Sequence, residues 1–280
     1  LRGVAFDQLL TCKGSVHREV KSRRTVEFEL GGKCYFIKIH QGCGWGEVWK
    51  NWLKGQHPVT SARPEWEAIA RLEQLGIPTL KVVGRGIRGK GPAKLESFVI
   101  TEALDGMVSL EELTQNWEGL SPGHRTRLKR ALLRQVAAIA RTIHRNGMNH
   151  RDFYLCHFLV RDRDWTRWQP ADPLVLHLID LHRMQIRPFV PRRWLLKDLA
   201  GLLFSAMDSR LTKNDLFRFA AIYWDCRARD ALREIPCTEL IRMVQRAGEI
   251  FMTDELPVGE DSQTRDDFVR QQSATTGLPE

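Results

Sequence analysis

A long amphipathic segment in the middle of the chain restricts the fold more than any other feature. Apolar side chains recur at helical spacing from Leu128 to Ile143, after the helix-start signal Ser121-Pro122 and before the stop signal Gly147. A periodicity of this length predicts one long helix that buries a single face. The second half of the chain is therefore predicted to be organised around a central core helix.

The polar loop that follows this helix is bracketed by apolar runs. Residues Asn149 to His157 are polar, whereas the runs Phe158 to Arg161 and Leu174 to Ile179 are typical of buried strands and have a polar insertion between them. From Trp194 onward, an apolar stripe at helical spacing predicts further helix. We therefore expect a helix-rich second part in which two short strands flank a polar loop.

The first part of the chain has the alternating pattern of strands. Thr25 to Leu30 alternates apolar residues with glutamates, Gly31-Gly32 supplies a two-residue turn, and Cys34 to His40 continues as a second strand. The segment Pro64 to Leu75 has helix-forming content, and Ser97 to Leu104 is typical of a buried strand. A hairpin, one helix and a further strand are therefore predicted before the long central helix.

The composition sets outer bounds on the class of protein. With 280 residues, of which 42% are hydrophobic and 28% charged, the chain is long enough for one large domain or two lobes. Its formal charge of +9 points to anionic partners. Six scattered cysteines without a CxxC pair indicate a reducing compartment rather than a disulfide framework or a zinc ribbon. No apolar run approaches the roughly 18 to 20 residues that span a bilayer, and the true N-terminus stays open because position 1 is Leu.

The chemistry-bearing residues stand in the order that phosphoryl transfer requires. Lys38 lies between β-forming residues in the second hairpin strand, and Glu65 opens the following helix. His150-Arg151-Asp152 comes directly after the long helix, and Asp180 ends a buried strand. The same order, with the patterns V-A-I-K, H-R-D and an aspartate at the D-F-G position, is found in protein kinases. We therefore predict Lys38 on the nucleotide phosphates, Glu65 holding it, Asp152 as the catalytic carboxylate and Asp180 on Mg²⁺.

These elements and motifs together predict an α+β fold of the two-lobed, protein-kinase-like type. Residues 1–103 are expected to form an N-lobe with an antiparallel sheet and one main helix. Residues 104–253 are expected to form a helical C-lobe with the catalytic loop, and the polar tail 254–280 is expected to be flexible. Adenine is then expected at the hinge between the lobes, around Glu102 to Leu104.

Two departures from the kinase pattern concern the phosphates and the metal. His157 occupies the position of the loop Asn, and because Mg²⁺ prefers oxygen ligands, His157 is expected to orient Asp152 or a metal-bound water. No glycine-rich loop precedes the hairpin, so backbone amides with Lys21, Arg23 and Arg24 are the alternative cover for the phosphates. The segment Gly42 to Gly46 follows the lysine strand, which favours a connection or a substrate-facing loop over a phosphate loop.

The spacing after Asp180 indicates an acceptor that is not a protein. Only 18 positions separate Asp180 from Asp198, where the next helical stretch is already under way, so the peptide-binding segment of protein kinases is missing. This spacing is typical of a small-molecule or sugar kinase. Asp198 and His150 are expected to support the catalytic loop.

Four segments carry a resemblance to a known family, the lipopolysaccharide core heptose kinases. The resemblance covers about residues 10 to 250 and rests on the following runs of sequence: Tyr35 to Glu47, Asn149 to Phe158, Ile179 to Arg183 and Arg193 to Ala200.

The resemblance implies ATP- and Mg²⁺-dependent transfer to a heptose of the lipopolysaccharide inner core, with Asp152 in the active site. It also implies a cytoplasmic protein that is peripheral at the cytoplasmic face of a Gram-negative inner membrane, with acyl carrier protein as an associated partner. An inner-core substrate carries phosphates and carboxylates. Basic residues after Asp180 are available to meet these groups, as an alternative to a merely solvated face: Arg183, Arg187, Arg192, Arg193 and Lys197.

Several alternatives stay open at this point. A kinase for another sugar, for the acidic core sugar or for an antibiotic would share the same core residues, and a kinase-fold module that binds ATP without turnover would explain the missing glycine loop. A nucleic-acid-binding protein would explain the charge, but the expected motifs are absent. Trp45, Trp49 and Trp52 fall on one helical face suited to a membrane interface or to ordinary packing. Zinc is disfavoured by the spacing of the histidines and cysteines.

Overall fold

In the computed structural model, the first part of the chain builds a five-stranded antiparallel sheet. The structure describes residues 4–20, 23–42, 61–91 and 94–227. A short helix α1 (Phe6–Leu10) packs on the sheet, whose strand order is β1-β2-β3-β5-β4. The strands are β1 (Ser15–Val20), β2 (Arg23–Leu30), β3 (Lys33–His40), β4 (Val82–Arg88) and β5 (Glu96–Glu102).

The β2–β3 hairpin forms as the sequence predicts. Gly31 and Gly32 both have positive φ angles, 62° and 73°, which allows a two-residue turn whose twist matches that of the strands. Leu30 then pairs with Lys33, and the register continues to Arg23 opposite His40. Because β3 also pairs with β5, it lies in the middle of the sheet, with Lys38 opposite Val99.

Helix α2 (Arg63–Gln74) connects the sheet with the rest of the molecule and confirms the predicted helix. Pro64 stands in its first turn, and Gly76, with φ 70°, follows its end. Trp66 packs with Val99 of the sheet, whereas Ala68, Ile69 and Leu72 belong to the largest hydrophobic cluster, together with residues of the second part. The buried Glu65 is carried on this helix.

The second part is mainly helical, as predicted. The long helix α4 (Pro122–Arg145) follows the shorter α3 (Leu110–Asn116), and the Ser121 hydroxyl accepts a hydrogen bond from the His124 amide at its start. Its buried face includes Leu128, Leu132, Val136, Ile139 and Ile143. The later helices are α5 (Asp162–Thr166), α6 (Arg192–Ser205) and α7 (Lys213–Trp224), and α7 packs along α4. No helix in the described part of the chain is both long and apolar enough to span a membrane.

Very short strands hold the polar loop in place. Strand β7 (Met148–Asn149) pairs with β10 (Gln185–Ile186). Strand β8 (Phe158–Arg161) lies between β6 (Met107–Ser109) and β9 (His177–Leu178) in a second small sheet. The polar loop runs from β7 to β8, and Asp180 follows β9 closely.

Two expectations for this region need correction. The strand predicted over Leu174 to Ile179 is reduced to His177–Leu178, because only these residues pair with β8; Leu174 and Leu176 are buried by packing instead. The polar insertion contains α5 and buries Trp165 and Trp168 in the main core. Division into lobes at residue 103 and the C-lobe limit at residue 253 stay predictions, and the tail 254–280 lies outside the described residues.

Candidate active site

A buried aspartate on α6 fixes the backbone of the polar loop. Both oxygens of Asp198 accept hydrogen bonds from loop amides, Oδ2 from His150 (2.6 Å) and Oδ1 from Arg151 (2.8 Å). Arg151 has a left-handed backbone with φ 76°, a conformation that costs a non-glycine residue about 1 kcal/mol or more. The two hydrogen bonds to a carboxylate stabilise this strained turn, and Asp198 itself is fully buried.

Two further residues extend this anchor, and neither was identified from the sequence. His144, near the end of α4, lies 3.2 Å from Asp198 Oδ2 through Nε2, and its Nδ1 lies 2.6 Å from the Tyr223 hydroxyl of α7. Burial and the Asp198 charge raise the pKa of Tyr223, which therefore stays protonated. The only local signal was a histidine on the buried face of α4. The anchor thus ties three helices to the loop.

The candidate catalytic carboxylate, Asp152, has one engaged and one unengaged oxygen. Its Oδ1 accepts a hydrogen bond from Arg183 Nη1 at 2.8 Å. Its Oδ2 is buried and, within the described residues, accepts no hydrogen bond. Such an atom is costly to bury unless a ligand group completes it. The geometry leaves one carboxylate oxygen available to a hydroxyl donor.

The predicted lysine, glutamate and second aspartate come together. Lys38 Nζ of β3 lies 2.7 Å from Glu65 Oε1 of α2 and 4.0 Å from Asp180 Oδ1. The Glu65 side chain is only 1% exposed, so its charge is balanced in a region that excludes water. The ion pair fixes the lysine head next to Asp180, as the sequence order predicts.

Asp180 is surrounded by hydrogen-bond donors. It has a left-handed backbone, with φ 59° and ψ 55°, and its Oδ1 lies 2.6 Å from His182 Nδ1. Burial alone would raise the pKa of Asp180, but His182, then His157 and Lys38, hold it well below the usual range. The group is therefore an anion at neutral pH, which suits a metal-binding oxygen donor.

His157 links the two aspartates. Its Nδ1 lies 2.6 Å from the Asp152 carbonyl oxygen and its Nε2 lies 3.4 Å from Asp180 Oδ2, so both ring nitrogens face acceptors. Burial would lower the pKa of His157, but the neighbouring Cys156, then Asp180 and the Asp152 carbonyl, raise it. A ring that donates from both nitrogens has no lone pair for a metal. This geometry favours the orienting role over direct ligation.

His150 supports the loop from the other side. Its Nε2 donates to the Ile179 carbonyl oxygen at 2.9 Å, immediately before Asp180. Burial lowers the pKa of His150, and the nearby His157 lowers it further, so the ring is neutral at pH 7. The predicted support residues His150 and Asp198 therefore hold the Asp152 loop and the Asp180 segment in one arrangement.

The remaining predicted residues are placed less directly. Glu102 ends β5, and its carboxylate lies 2.9 Å from Lys81 Nζ, while Leu104 packs against the main core. Neither residue has a described contact with Asp152 or Asp180. Arg192 is exposed at the start of α6. Arg187 and Arg193 have their guanidinium groups near the Trp194 ring.

Several proposed features fall outside the described part of the chain, and the phosphate cover is one of them. Lys21 lies outside it, while Arg23 and Arg24 begin β2. The segment Gly42 to Gly46, apart from Gly42, and the tryptophan face of Trp45, Trp49 and Trp52 also lie outside it. Within residues 4–20, 23–42, 61–91 and 94–227, no group of three or more His, Cys, Asp and Glu side chains is arranged to hold a metal ion.

Comparison with known proteins gives consistent matches over most of the chain. Residues 7–223 match the model of the lipopolysaccharide kinase (Kdo/WaaP) family. The chain is 45% identical over 229 residues to the lipopolysaccharide core heptose(I) kinase WaaP of Pseudomonas aeruginosa, covering 82% of this chain and 84% of that protein. It is 44% identical over 228 residues to the protein of the same name from Escherichia coli, covering 81% and 84%. A solved structure described as WaaP in complex with acyl carrier protein superposes with a TM-score of 0.72 and 40% identity, covering 88% of this chain and 92% of that one.

Proposed function

The chain belongs to the lipopolysaccharide kinase (Kdo/WaaP) family, and from this premise we propose that it transfers the γ-phosphoryl group of ATP to a heptose hydroxyl of the lipopolysaccharide inner core. The observation that carries the proposal is the Asp152 carboxylate, whose Oδ2 is buried and has no described partner. An acceptor hydroxyl that donates to Oδ2 satisfies this atom and becomes aligned for attack. The hydrogen bond from Arg183 to Oδ1 fixes the direction of the carboxylate.

The nucleotide side of the proposed site uses Lys38, Glu65 and Asp180. Lys38, held by Glu65, is directed at the nucleotide phosphates, and the backbone around Glu102 to Leu104 holds the adenine. Mg²⁺ usually binds proteins through one or two carboxylates together with substrate phosphates and water. Asp180 meets that requirement as an anionic oxygen donor. The ion would neutralise charge on the phosphates during transfer.

His157 takes the place of an oxygen ligand in this arrangement. Because its ring faces the Asp152 carbonyl and the Asp180 carboxylate, it keeps the acceptor side and the metal side at a constant separation. A protonated imidazole next to Asp180 also offsets negative charge where phosphates approach. We therefore assign it an orienting role.

The acceptor is proposed to be a saccharide rather than a peptide because the segment after Asp180 is short. Strand β10 begins at Gln185 and helix α6 begins at Arg192, so regular structure resumes within a few residues of Asp180. A peptide platform requires a longer exposed segment.

We also propose attachment to a membrane surface, and the side chains exposed before α6 support this proposal. Phe189 is 71% exposed and Ile186 is 45% exposed, and both stand close in sequence to the exposed Arg192 and Arg193. Apolar and basic side chains on one surface segment suit an anionic bilayer. We expect sedimentation with vesicles that contain anionic phospholipid, reduced by Phe189→Ser but not by Met207→Ser, a matched change at another exposed apolar residue. Equal sedimentation of both variants would contradict this attachment.

Acyl carrier protein is the second proposed partner. The solved structure that resembles this chain is described as WaaP in complex with acyl carrier protein. An acidic carrier would complement the formal charge of +9. Binding of purified acyl carrier protein, measured by calorimetry at low and high salt, tests the proposal: no binding at either salt concentration would refute it.

The decisive experiment offers ATP, Mg²⁺ and dephosphorylated inner-core lipopolysaccharide to the purified protein. We expect phosphate transfer to the lipopolysaccharide and none to a generic protein substrate. Asp152→Ala is expected to lower turnover by about 10²- to 10⁴-fold while ATP affinity is kept. The control is Asp208→Ala, at an exposed carboxylate. Full activity of Asp152→Ala would overturn the assignment, and ATP binding without transfer to lipopolysaccharide would favour another acceptor or a binding module.

A further inference from the structure

A cluster of cations surrounds the indole ring of Trp194 in the first turn of α6. Each of these side chains has its charged group between 5.2 and 5.6 Å from the ring centre, a distance at which a cation is attracted to an aromatic face. We call this group the Trp194 cluster. It consists of Trp194 with Arg151, Arg187, Arg193 and Lys197.

The cations of the Trp194 cluster have no carboxylate partner among the described residues. Arg187 donates to the neutral oxygens of Gln185 at 2.6 Å and Asn149 at 3.5 Å. Within the same described ranges, the Nε atom of Arg151 and the indole nitrogen of Trp194 are buried and make no hydrogen bond. Donors and positive charge therefore accumulate here without an acceptor.

This accumulation of charge is unfavourable in the absence of a ligand. Lys197 as a residue is exposed, but partial burial of its ammonium, then the charges of Arg183 and Arg151, lower its pKa. Two acidic groups are near enough to act in the opposite direction, Asp152 and Asp198, but Asp198 and the Oδ1 atom of Asp152 already accept hydrogen bonds from other groups. A bound anion would relieve the repulsion and satisfy the buried donors together.

The Trp194 cluster adjoins the proposed acceptor position. Arg151 directly precedes Asp152, and the Arg187 amide donates to the Gly147 carbonyl oxygen at 2.9 Å, which fixes the Arg187 strand beside the loop. The first turn of α6, with the positive end of the helix dipole, carries Arg193 and Trp194. An anion bound here lies next to the hydroxyl that Asp152 would orient.

We propose that the Trp194 cluster binds an anionic substituent of the acceptor saccharide, a carboxylate or a phosphate, and so selects an acidic acceptor. This inference rests on the proposed function and adds the part of the acceptor that is recognised. Arginine forks match the two oxygens of either anion, and Lys197 adds a point charge. The Trp194 face keeps the guanidinium groups in position.

Kinetics with modified acceptors test the proposal. The acceptor glycolipid is used intact, with its carboxylates reduced to alcohols, and with its remaining phosphates removed. For the unmodified protein, we expect removal of the recognised anion to raise the acceptor KM about tenfold or more, while the ATP KM is unchanged. The double variant Arg187→Gln, Lys197→Gln is expected to have this high KM for the intact acceptor and to lose the discrimination. A double variant that still discriminates as the unmodified protein does would overturn the proposal.

A matched control separates charge at the site from charge elsewhere. Arg134 is exposed on α4, and Arg134→Gln makes the same chemical change outside the Trp194 cluster. For this variant, the KM for the intact acceptor and the KM for each modified acceptor are expected to stay within about twofold of the values for the unmodified protein. Surface charges contribute little beyond their own contacts. An acceptor KM raised as much by Arg134→Gln as by the double variant would assign the effect to net charge and refute the cluster.

A readout without turnover distinguishes failure of this inference from failure of the proposed function. Melting temperatures are compared in sodium phosphate, sodium acetate and sodium chloride at equal ionic strength. We expect phosphate or acetate to raise the melting temperature of the unmodified protein over chloride, and to raise that of the double variant less. This difference would support the anion site even if no saccharide were phosphorylated. Equal shifts in both proteins would refute the site even if heptose were phosphorylated.

Discussion

Two regions on either side of Asp152 treat charge in opposite ways. On the proposed nucleotide side, Lys38 faces Glu65 and Asp180, and Asp180 faces His157 and His182, so each charge has a partner. We call this the paired region. In the Trp194 cluster, cations gather around one ring without a described carboxylate. The difference indicates that the paired region is organised before ligands arrive, whereas the cluster is completed by one.

Neighbouring residues on α6 belong to these different environments. Asp198 is fully buried and accepts hydrogen bonds from two loop amides. Lys197, the preceding residue, has its ammonium 5.5 Å from the centre of the Trp194 ring. One helix therefore supplies both a buried, hydrogen-bonded anchor and an ammonium group without a described carboxylate partner, and the direction of each side chain decides which.

The largest expected effect comes from breaking the paired region at Lys38. Lys38→Met removes the cation proposed to face the phosphates, so we expect turnover to fall by about 10²- to 10³-fold. Steady-state kinetics with varied ATP measures this loss. The comparison variant is Lys81→Met, at an exposed lysine that pairs with Glu102. It is expected to keep activity within about threefold. Activity of Lys38→Met within tenfold of the unmodified protein would contradict the phosphate role.

The next effect is on stability, at Asp198. Asp198→Asn keeps the shape but removes the charge and one acceptor from two loop amides and His144, so we expect the free energy of unfolding to fall by about 3 to 5 kcal/mol. Urea unfolding at pH 7 measures it. The same change at the exposed Asp208 is expected to cost less than about 0.5 kcal/mol. A loss below about 1 kcal/mol for Asp198→Asn would mean that the anchor does not hold the loop.

A pH effect is expected from His40, at the end of β3 beside the paired region. Burial, then the charges of Arg23, His182 and Lys38, lower the pKa of His40 to about 3, and its Nδ1 has no described partner. Below about pH 6.5 the unfolded chain therefore binds a proton that the folded protein does not, and the free energy of unfolding decreases as the pH is lowered.

The contribution of His40 is measured by comparing the unmodified protein with a variant that lacks the imidazole. Between pH 7 and pH 5 we expect His40 alone to remove about 2 kcal/mol from the free energy of unfolding. Over the same pH interval, the free energy of unfolding of His40→Leu is expected to fall by about 2 kcal/mol less than that of the unmodified protein. Urea unfolding at the two pH values measures the difference. Identical losses would show that His40 is not held neutral by burial and its cationic neighbours.

The smallest expected effect is at an ion pair that water reaches. Arg63 and Glu67 on α2 lie 2.7 Å apart, but their side chains are 64% and 45% exposed, unlike the buried Glu65 on the same helix. Arg63→Gln is expected to change the free energy of unfolding by less than about 0.5 kcal/mol. A loss above about 1 kcal/mol in urea unfolding would mean that an ion pair stabilises the protein even where water reaches it. Exposure would then not distinguish this pair from the buried one.

Local pattern was enough to predict the larger elements of the fold. The hairpin turn at Gly31-Gly32, helix α2 and the long helix α4 follow from turn chemistry, stop signals and helical periodicity, all of which lie within a few residues. Strands of two residues carry no such signal. The β7–β10 pair joins residues such as Asn149 and Gln185, which meet only after the intervening chain has packed.

The candidate site likewise contains residues that local pattern predicts and contacts that form only when distant segments pack together. The order of Lys38, Glu65, Asp152 and Asp180 could be predicted from local patterns in the sequence, because phosphoryl transfer requires these residue types in this order. Only the tertiary structure placed Arg183 on Asp152, and His144 with Tyr223 behind Asp198. It also gathered cations around Trp194. Periodicity encodes which face a residue occupies, whereas the balance of charges depends on distances and burial across segments far apart in the chain.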